Sequence, residues 1–294
     1  MQRIAYVFFR GMIFLFWLTP FCLLYLLSDF LAFLLYRVVG YRKEIVRANL
    51  KKAFPNKSEA EIKAVEKEFY KHLSDIILEG IKGLSMSRGS IKKRYVVRSD
   101  AVDLLNSFCQ EQSVMIVGGH YGNWEWGAIG ATLHVIPDMV IFYKPIKNKY
   151  LDAYVRRTRS AYQTYLRSIK VTRQTFEEFQ EQNLIYILIA DQSPSNRKAA
   201  HWVNFMNQET AVLHGPSKYC KKYRLPLFFL HTRRLRRGYY QVYLDYLPEV
   251  NQMTDLNAIS QLFMSKLEED IRARPAHWLW SHKRWKYQPE DVPT

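Results

Sequence analysis

One short segment in the first half of the chain combines a histidine, a carboxylate and several glycines. It reads Gly118-Gly119-His120-Tyr121-Gly122-Asn123-Trp124-Glu125. A carboxylate that accepts a hydrogen bond from one imidazole nitrogen leaves the other nitrogen free to take a proton, so His120 and Glu125 could act as a general-base pair. This is the histidine–carboxylate part of a catalytic triad, but the segment has no serine to act as nucleophile. The substrate would then supply its own nucleophile, such as a hydroxyl.

The elements around this segment decide whether the pair can reach a substrate. Residues 114–117 form a short apolar run, which is typical of a buried strand. Asn123 can cap a helix that runs to about Leu133, with Glu125 in its first turn. Ligands of open α/β sheets bind beyond the carboxyl ends of the strands, where His120 would lie. The spacing alone also fits a loop histidine paired with a helix carboxylate for purely structural reasons.

The rest of the chain alternates strand and helix patterns. Ser58 and Glu61 form a capping box for a helix that ends near Gly80. Further strands are predicted at residues 139–143, 184–190, 227–232 and 239–246, with a basic turn at 233–238. Further helices are predicted at residues 100–108, 148–167, 176–180, 212–223 and 256–272. These patterns predict an α/β fold in which a mixed central sheet is flanked by helices, preceded by an N-terminal hydrophobic membrane-anchoring helix.

The N-terminal segment, residues 4–36, is dominated by apolar and aromatic side chains. About 20 apolar residues span a bilayer as a helix. Pro20 would kink that helix, which membrane helices tolerate. A single spanning anchor and a hairpin or interfacial helix that only dips into the membrane both remain open. A cleaved signal peptide is disfavoured because the apolar run is too long and no small-residue cleavage site follows it.

The net charge of the chain indicates which kinds of molecule it attracts. The 294 residues carry a net charge of +16, which attracts polyanions such as anionic lipids, nucleic acid or an acidic protein. None of the DNA-binding motif patterns is present, so no nucleic-acid partner is expected. The three cysteines are scattered without C-x-x-C spacing, which indicates neither a zinc site nor a disulfide framework. Basic residues that follow the apolar segment favour a cytoplasmic position for the body, although Arg3 and Arg10 lie on the other side. They are Arg37, Arg42, Lys43, Arg47, Lys51 and Lys52.

Several segments resemble, in order, the motifs of the bacterial late acyltransferases of lipid A biosynthesis, the lauroyl/myristoyl acyltransferase family. The first is the H-x4-E segment that contains His120 and Glu125. The second is Tyr143-Lys144-Pro145 with Asn148, Asp152 and Arg159, and the third is Ala190-Asp191-Gln192 after an apolar run. The fourth runs from Asn204-Phe205-Met206 through Glu209-Thr210-Ala211 to Gly215. The last and most specific is P-A-H-W-L-W-S-H-K-R-W at residues 275–285.

Three positions depart from the pattern of that family. His277 stands where glutamine is usual, and Met206-Asn207 replaces a phenylalanine and a glycine. Residues 193–196 lack the acidic and glycine residues often seen after the aspartate. These departures bear on the acyl-chain length and the acceptor more than on the class of reaction.

The resemblance implies acyl transfer from a thioester, typically on acyl carrier protein, to a hydroxyl of a lipid A precursor or a similar anionic glycolipid. It implies no cofactor beyond the acyl thioester, and the chemistry requires no metal. In that interpretation residues 1–36 are the membrane anchor and residues 37–294 the cytosolic acyltransferase domain at the inner membrane. An acyltransferase for another lipid, such as an aminolipid or a glycosylated phospholipid, is the first alternative. A non-enzymatic, membrane-bound binder of polyanions is the second.

The resemblance also implies roles for individual residues. His120 would be the general base and Glu125 would orient it. Arg159, or backbone N–H groups near Gly122 and Asn123, would stabilise the oxyanion. Lys144 and Asn148 would position a phosphate or sugar, and the remaining substrate-binding candidates are Asp191, Gln192 and Thr210.

Simpler interpretations of the same residues stay open. Arg159 could pair with Asp191 to hold two elements together, and Asp191-Gln192 could be only a turn at a strand end. The tryptophans of residues 275–285 favour core packing over substrate binding, and His282 favours a structural hydrogen bond.

Overall fold

The computed structural model describes residues 2–160, 164–194 and 200–287. Its helices are α1 (Gln2–Leu18), α2 (Phe21–Phe33), α3 (Lys43–Ala53), α4 (Glu59–Gly83), α5 (Arg88–Arg94), α6 (Ser99–Glu111), α7 (Trp124–Gly130), α8 (Lys149–Arg159), α9 (Thr172–Glu178), α10 (Gly215–Lys222) and α11 (Leu256–Ala273). Its strands are β1 (Tyr95–Val97), β2 (Val114–Gly118), β3 (Met139–Tyr143), β4 (Thr164–Ser168), β5 (Ile185–Ile189), β6 (Ala200–Phe205), β7 (Gln208–Leu213), β8 (Leu227–Arg236) and β9 (Tyr239–Tyr246). A π-helical turn, Leu34–Val38, continues α2.

A mixed seven-stranded sheet forms the centre of the fold, in the order β1-β9-β8-β2-β5-β3-β4. Only the hairpin β8–β9 pairs antiparallel; the other neighbours run parallel. Every residue of β2 is buried, as expected for a parallel strand covered by helices on both faces. The predicted α/β class with a mixed, helix-flanked sheet is confirmed.

The pairing of β2 with β5 has the greatest consequence for the site. Their register places Gly118 opposite Ile189, so both strands end at the same level. Residues that follow each strand by two positions therefore emerge side by side at the carboxyl edge of the sheet. Those residues are His120 and Asp191.

Two predicted helices are partly wrong. The helix predicted at 148–167 ends at Arg159, and Thr164–Ser168 instead pairs with β3 as an edge strand that buries Thr164 and Leu166. Residues 161–163 lie outside the described residues. The helix predicted at 212–223 begins only at Gly215, because Gln208–Leu213 pairs with Ala200–Phe205 in a separate two-stranded sheet. The predicted basic turn at 233–238 is mostly strand, since β8 continues to Arg236.

The two predicted helix caps are confirmed. At the start of α4, the Glu61 amide donates to the Ser58 hydroxyl and the Ser58 amide donates to the Glu61 carboxylate. At the start of α7, the amide of Trp126 donates to the Asn123 side chain at 2.8 Å. Both caps were predicted, because each requires only residues that are close in the sequence.

The N-terminal helices pack against the body rather than apart from it. Pro20 separates α1 from α2. Lys82 of α4 donates to the carbonyl groups of Phe16 and Trp17 at the end of α1 and of Thr19 just after it. The Ser28 hydroxyl of α2 donates to Asp75 of α4 at 2.6 Å. Phe21–Val38 is long and apolar enough to cross a membrane by length and composition. The division at residue 36 stays a prediction.

Candidate active site

The loop after β2 requires glycine at two positions. A Cβ at Gly119 would lie 2.7 Å from the Leu267 side chain of α11. Gly122 has a φ of +63°, and a Cβ there would lie 2.6 Å from Thr232 of β8. A left-handed conformation is costly for residues that carry a Cβ. The two glycines thus let the loop pass between α11 and β8 and bring His120 to the edge of the sheet.

Asp191, rather than Glu125, holds the imidazole of His120. Nδ1 of His120 lies 2.6 Å from Oδ1 of Asp191, and the backbone amide of His120 donates to Oδ2 at 2.9 Å. The indole N–H of Trp278 also donates to Oδ2, at 2.8 Å. The carboxylate is fully enclosed, with 3% of the residue exposed. A buried carboxylate with three donors is a rigid and well-satisfied partner for an imidazole.

The charges of the two groups support each other. Burial alone would raise the pKa of Asp191, but the His120 charge and hydrogen bonds from His120 and Trp278 outweigh it and lower that pKa to about 2. Burial likewise disfavours the imidazolium, yet the Asp191 carboxylate prevails and raises the pKa of His120 above 6.5, with a smaller contribution from Glu125. An ionised carboxylate can only accept, so Nδ1 of His120 carries the proton. The lone pair of Nε2 is then the basic site.

Gln192 lies next to that basic nitrogen. Its amide nitrogen is 3.3 Å from Nε2 of His120, and the His120 side chain is 20% exposed. A substrate hydroxyl can therefore approach Nε2 from the solvent side and displace the amide. The prediction that the segment Asp191-Gln192 belongs to the site agrees with this placement, although the role of Asp191 is to hold the base.

Glu125 has a different partner from the predicted one. Its carboxylate hydrogen-bonds the guanidinium of Arg159, and its stem packs on Gly80 of α4. Among the described residues, the hydrogen-bond partners of the His120 ring are Asp191 and Gln192. The expectation that Glu125 orients His120 is therefore not met, and neither is the alternative pairing of Arg159 with Asp191. The reason is topological, since β5 adjoins β2 whereas α7 carries Glu125 away toward α8 and α4.

The predicted phosphate- or sugar-binding residues lie at the start of α8. The Asn148 side chain caps α8 by accepting from the amide of Tyr150 at 3.0 Å, and its amide group donates to the carbonyl of Gln2 at 3.1 Å. Lys144 is exposed beyond β3. Asn148 thus has a structural task that leaves it little freedom to bind a ligand, while Lys144 is accessible.

Thr210 lies in β7, away from the edge of the sheet that carries His120. Its residue is 1% exposed, and its hydroxyl accepts from the indole N–H of Trp285 at 2.8 Å and donates to the carbonyl of Gln208. Both hydrogen-bonding roles of the hydroxyl are satisfied inside the protein. The described contacts therefore give Thr210 a structural function.

The C-terminal motif, residues 275–285, supports the loop that carries His120. The amide of Gly122 donates to the carbonyl of His277, and the amide of Leu279 donates to the carbonyl of His120. Trp278 binds Asp191, and Trp280 is completely buried. The interpretation of these tryptophans as core residues is confirmed, with Trp278 also contacting the site. Because the Gly122 amide is occupied, it is not free to stabilise an oxyanion.

His282 is structural, as expected. It accepts from the amide of Ser193 at 3.1 Å through Nε2. Burial, the largest influence, lowers the pKa of His282 to about 4, so the ring is neutral and able to accept. Of the segment 193–196, residues 195 and 196 lie outside the described residues.

Sequence reasoning missed Glu79, a buried carboxylate of α4 at the back of the site. It accepts from Asn123 at 2.7 Å, from the Tyr240 hydroxyl at 2.8 Å and from the Tyr25 hydroxyl at 2.9 Å. Burial raises the pKa of Glu79 to about 7. The signal was present, because Glu79 lies three residues after Ile76 on the apolar face of α4.

The described part of the chain, residues 2–160, 164–194 and 200–287, contains no group of three histidine, cysteine, aspartate or glutamate side chains placed to hold a metal. The site described so far consists of an imidazole base, a buried carboxylate that orients it and a neighbouring Glu125–Arg159 ion pair. Such a site can remove a proton from a hydroxyl and place a cation near a developing negative charge.

Comparison with known proteins identifies the family. Residues 2–287 match the family model described as bacterial lipid A biosynthesis acyltransferase. The chain is 22% identical over 250 residues to the lipid A biosynthesis palmitoleoyltransferase of Escherichia coli (strain K12), covering 84% of this chain and 80% of that protein. It has the same identity and coverage with the lipid A biosynthesis acyltransferase of Shigella flexneri. The family match spans nearly the whole chain, so the protein belongs to the bacterial lipid A biosynthesis acyltransferase family.

Proposed function

We propose that the protein transfers a fatty acyl group from acyl carrier protein to a hydroxyl of a lipid A precursor, with His120 as general base and Asp191 as its orienting group. The observation that carries this proposal is the His120–Asp191 pair, which leaves Nε2 as the basic nitrogen of a partly exposed imidazole. The catalytic loop supplies a base without a serine nucleophile, which suits a substrate that brings its own hydroxyl.

The proposed reaction has three steps, in which His120 moves one proton. Nε2 of His120 takes the proton of the acceptor hydroxyl, and the oxygen attacks the carbonyl carbon of the thioester. The tetrahedral intermediate then expels the thiolate, which recovers the proton from the imidazolium. Asp191 stabilises that imidazolium, a role worth roughly 10²–10⁴ in rate together with the base.

Arg159 is the best candidate to stabilise the oxyanion. Its side chain is 20% exposed, and its guanidinium is held by Glu125. Nε of Arg159 has no hydrogen-bond partner among the described residues. A guanidinium that is fixed in advance needs little reorganisation when the charge develops. In this proposal Glu125 positions Arg159 rather than His120.

The N-terminal helices suit a membrane surface. Many large apolar side chains of α1 and α2 are more than half exposed. These are Val7, Phe8, Phe14, Leu15, Trp17, Leu26, Phe30 and Phe33. Because hydrogen bonds join the end of α1 and the middle of α2 to α4, their exposed face fits a helix pair that dips into the membrane better than a separate span. Basic residues after the segment favour the cytoplasmic face of the inner membrane, where acyl carrier protein is available.

The test is an in vitro transfer assay with the full chain, acyl carrier protein loaded with acyl chains of different length, and a purified lipid A precursor. His120→Ala should lower kcat/KM by about 10²–10⁴ while the protein stays folded. His134→Ala is the matched control, because the ring of that histidine hydrogen-bonds the carbonyl of Tyr95, outside the loop that carries His120. Full activity of His120→Ala would refute the proposal.

Parallel assays separate the alternatives. Turnover with an aminolipid or a glycosylated phospholipid, and none with the lipid A precursor, would assign a different acceptor. Salt-dependent binding of DNA with no transfer to any lipid would favour the non-enzymatic polyanion binder.

A further inference from the structure

A cavity lies beside the site described so far. It has a volume of about 650 Å³ and is bounded by α2 with its π-helical turn, the middle of α4 and the β8–β9 hairpin. Asp75, which contributes to its wall, precedes Gly80 by five residues on α4. Gly80 is the contact of Glu125, so the cavity begins roughly 7.5 Å along the helix from that contact.

The lining of this cavity has an excess of positive charge. Five cationic side chains face three carboxylates. Two of those carboxylates are already neutralised, because Asp75 binds Arg234 at 2.5 Å and Arg237 at 2.7 Å, and Asp29 binds Arg237 at 2.7 Å. The remaining carboxylate, Glu68, is exposed.

The remaining cations are exposed at the cavity mouth. Arg37, Lys67 and Lys71 form no salt bridge with any carboxylate among the described residues. Two of them extend from α4 and one from the π-helical turn, so they converge on the cavity from two sides. With Glu68 counted against them, these three cations leave an excess of two positive charges around one concave surface, which attracts an anion.

The floor of the cavity carries a buried polar atom that lacks a partner. His72 and His277 are 3% and 5% exposed, and their ring centroids are 4.5 Å apart. Nδ1 of His72 accepts from Arg234 at 3.1 Å, and its ring also hydrogen-bonds the backbone of Gly122 and His277. Nδ1 of His277 has no hydrogen-bond partner in the described part of the chain. A buried polar atom of this kind is normally satisfied, which is consistent with a polar ligand in the cavity.

The surface beside the mouth is apolar. Phe30, Phe33, Val38 and Val39 are all more than half exposed, and the last two directly follow Arg37. Cations placed beside exposed apolar side chains are typical of a membrane interface, where charge meets headgroups and apolar groups meet acyl chains.

We propose that this cavity binds the phosphate-bearing headgroup of an anionic membrane lipid, whose acyl chains lie against the exposed face of α2. The lipid is a bound component of the membrane rather than the acyl acceptor. The inference rests on the membrane placement in the proposed function, but not on acyl transfer, and binding can be measured without turnover.

The experiment measures partitioning of the full chain onto phosphatidylcholine vesicles with and without phosphatidylglycerol. The test variant combines Arg37→Gln, Lys67→Gln and Lys71→Gln. The matched control removes the same charge from α10, with Lys218→Gln, Lys221→Gln and Lys222→Gln. Each cation near an anionic surface changes binding by about fivefold, so the test variant should bind phosphatidylglycerol vesicles about 100-fold more weakly. The control should lose less than about fivefold.

A charge-neutral variant tests the cavity itself. Ala32 lines the cavity, and Ala32→Leu would occupy its space without altering the net charge. We expect this variant to lose the preference for phosphatidylglycerol while keeping its binding to phosphatidylcholine. Equal losses in the two triple variants would reduce the effect to general charge attraction and overturn the proposal.

A further arm distinguishes the source of the phosphate. Calorimetric titration with inorganic phosphate should give no saturable binding in the absence of vesicles. Binding of inorganic phosphate that the test variant abolishes, with no difference on vesicles, would assign the cavity to a free anion and overturn the lipid proposal. If transfer activity is absent but the lipid preference remains, only the proposed function fails.

Discussion

Replacing Asp191 by asparagine tests which carboxylate orients the base. An asparagine can keep one oxygen in the place of Oδ2, where it still accepts from the His120 amide and from Trp278. Its NH₂ group then faces Nδ1 of His120 in place of Oδ1. Because NH₂ only donates, Nδ1 must accept, and the imidazole proton moves to Nε2. The nitrogen that should take the substrate proton is then occupied.

The structure sets the magnitudes. The wrong tautomer should lower kcat/KM by about two to four orders of magnitude. The folded pKa of Asp191, about 2, lies below its ordinary value of 3.8, so the carboxylate stabilises the fold above pH 3.8 and loses that effect as pH falls through 2. Its loss in the variant should cost about 2 kcal/mol at neutral pH. That cost would lower the melting temperature by on the order of 5 °C.

A pH profile separates the base from the fold. The base must be neutral, so wild-type kcat/KM should fall as pH drops through the His120 pKa, which Asp191 and Glu125 hold above 6.5. Without the Asp191 carboxylate this acid limb should move to lower pH. Glu125→Gln should move it only slightly, because the contribution of Glu125 is the smaller one. A folded Asp191→Asn enzyme with an unchanged acid limb and a rate within about tenfold of wild type would refute the argument.

Three other substitutions give distinct outcomes. Glu79→Gln should flatten stability against pH: the folded pKa of Glu79 is raised from 4.5 to about 7, so the wild type loses stability as pH rises through this window. The wild type should lose unfolding free energy on the order of 3 kcal/mol between the two ends of that window. An equally large loss in Glu79→Gln, measured by denaturation at both pH values, would contradict this. Gly122→Ala should lower the free energy of unfolding by more than about 1 kcal/mol, because a Cβ there would clash with Thr232. Gly89→Ala should leave the free energy of unfolding unchanged, because a Cβ there meets open space. Thr210→Val should cost about 1 kcal/mol in thermal unfolding with KM unchanged, whereas a raised KM would indicate substrate contact.

Elements that depend on neighbouring residues were predictable from the sequence. The strands at 139–143 and 239–246 and the two caps were found because apolar runs and capping side chains act within a few residues. The edge strand Thr164–Ser168 was not found, since it is stabilised by its pairing with β3. A helix pattern that continued past Arg159 concealed it.

The β6–β7 hairpin shows why a turn can be invisible in a sequence. Phe205 pairs with Gln208, and the two residues between them, Met206 and Asn207, have φ values of 54° and 61°. Such turns usually carry glycine or asparagine at both positions. Here the Met206 amide donates to Glu268 at 2.6 Å, and its side chain is buried, so tertiary contacts hold a methionine in a glycine-like conformation.

The site itself was half predictable for the same reason. The strand before His120 and the capped helix after it could be inferred from residues within one segment, and the carboxylate nearest in sequence was Glu125. The true partner, Asp191, is 71 residues away and becomes adjacent only because β5 lies beside β2. No local pattern contains the order of strands in a sheet.

The carboxylate of Glu79 joins helix α2 to the start of α7, just after the loop that carries His120. One of its oxygens accepts from Tyr25 of α2, and the other accepts from Asn123, the cap of α7. The same cap fixes the first turn of α7, from which Glu125 reaches Arg159. A change in how α2 sits against α4 therefore acts on the group that positions α7. The apolar helix α2 and the Glu125–Arg159 ion pair therefore belong to one hydrogen-bonded unit.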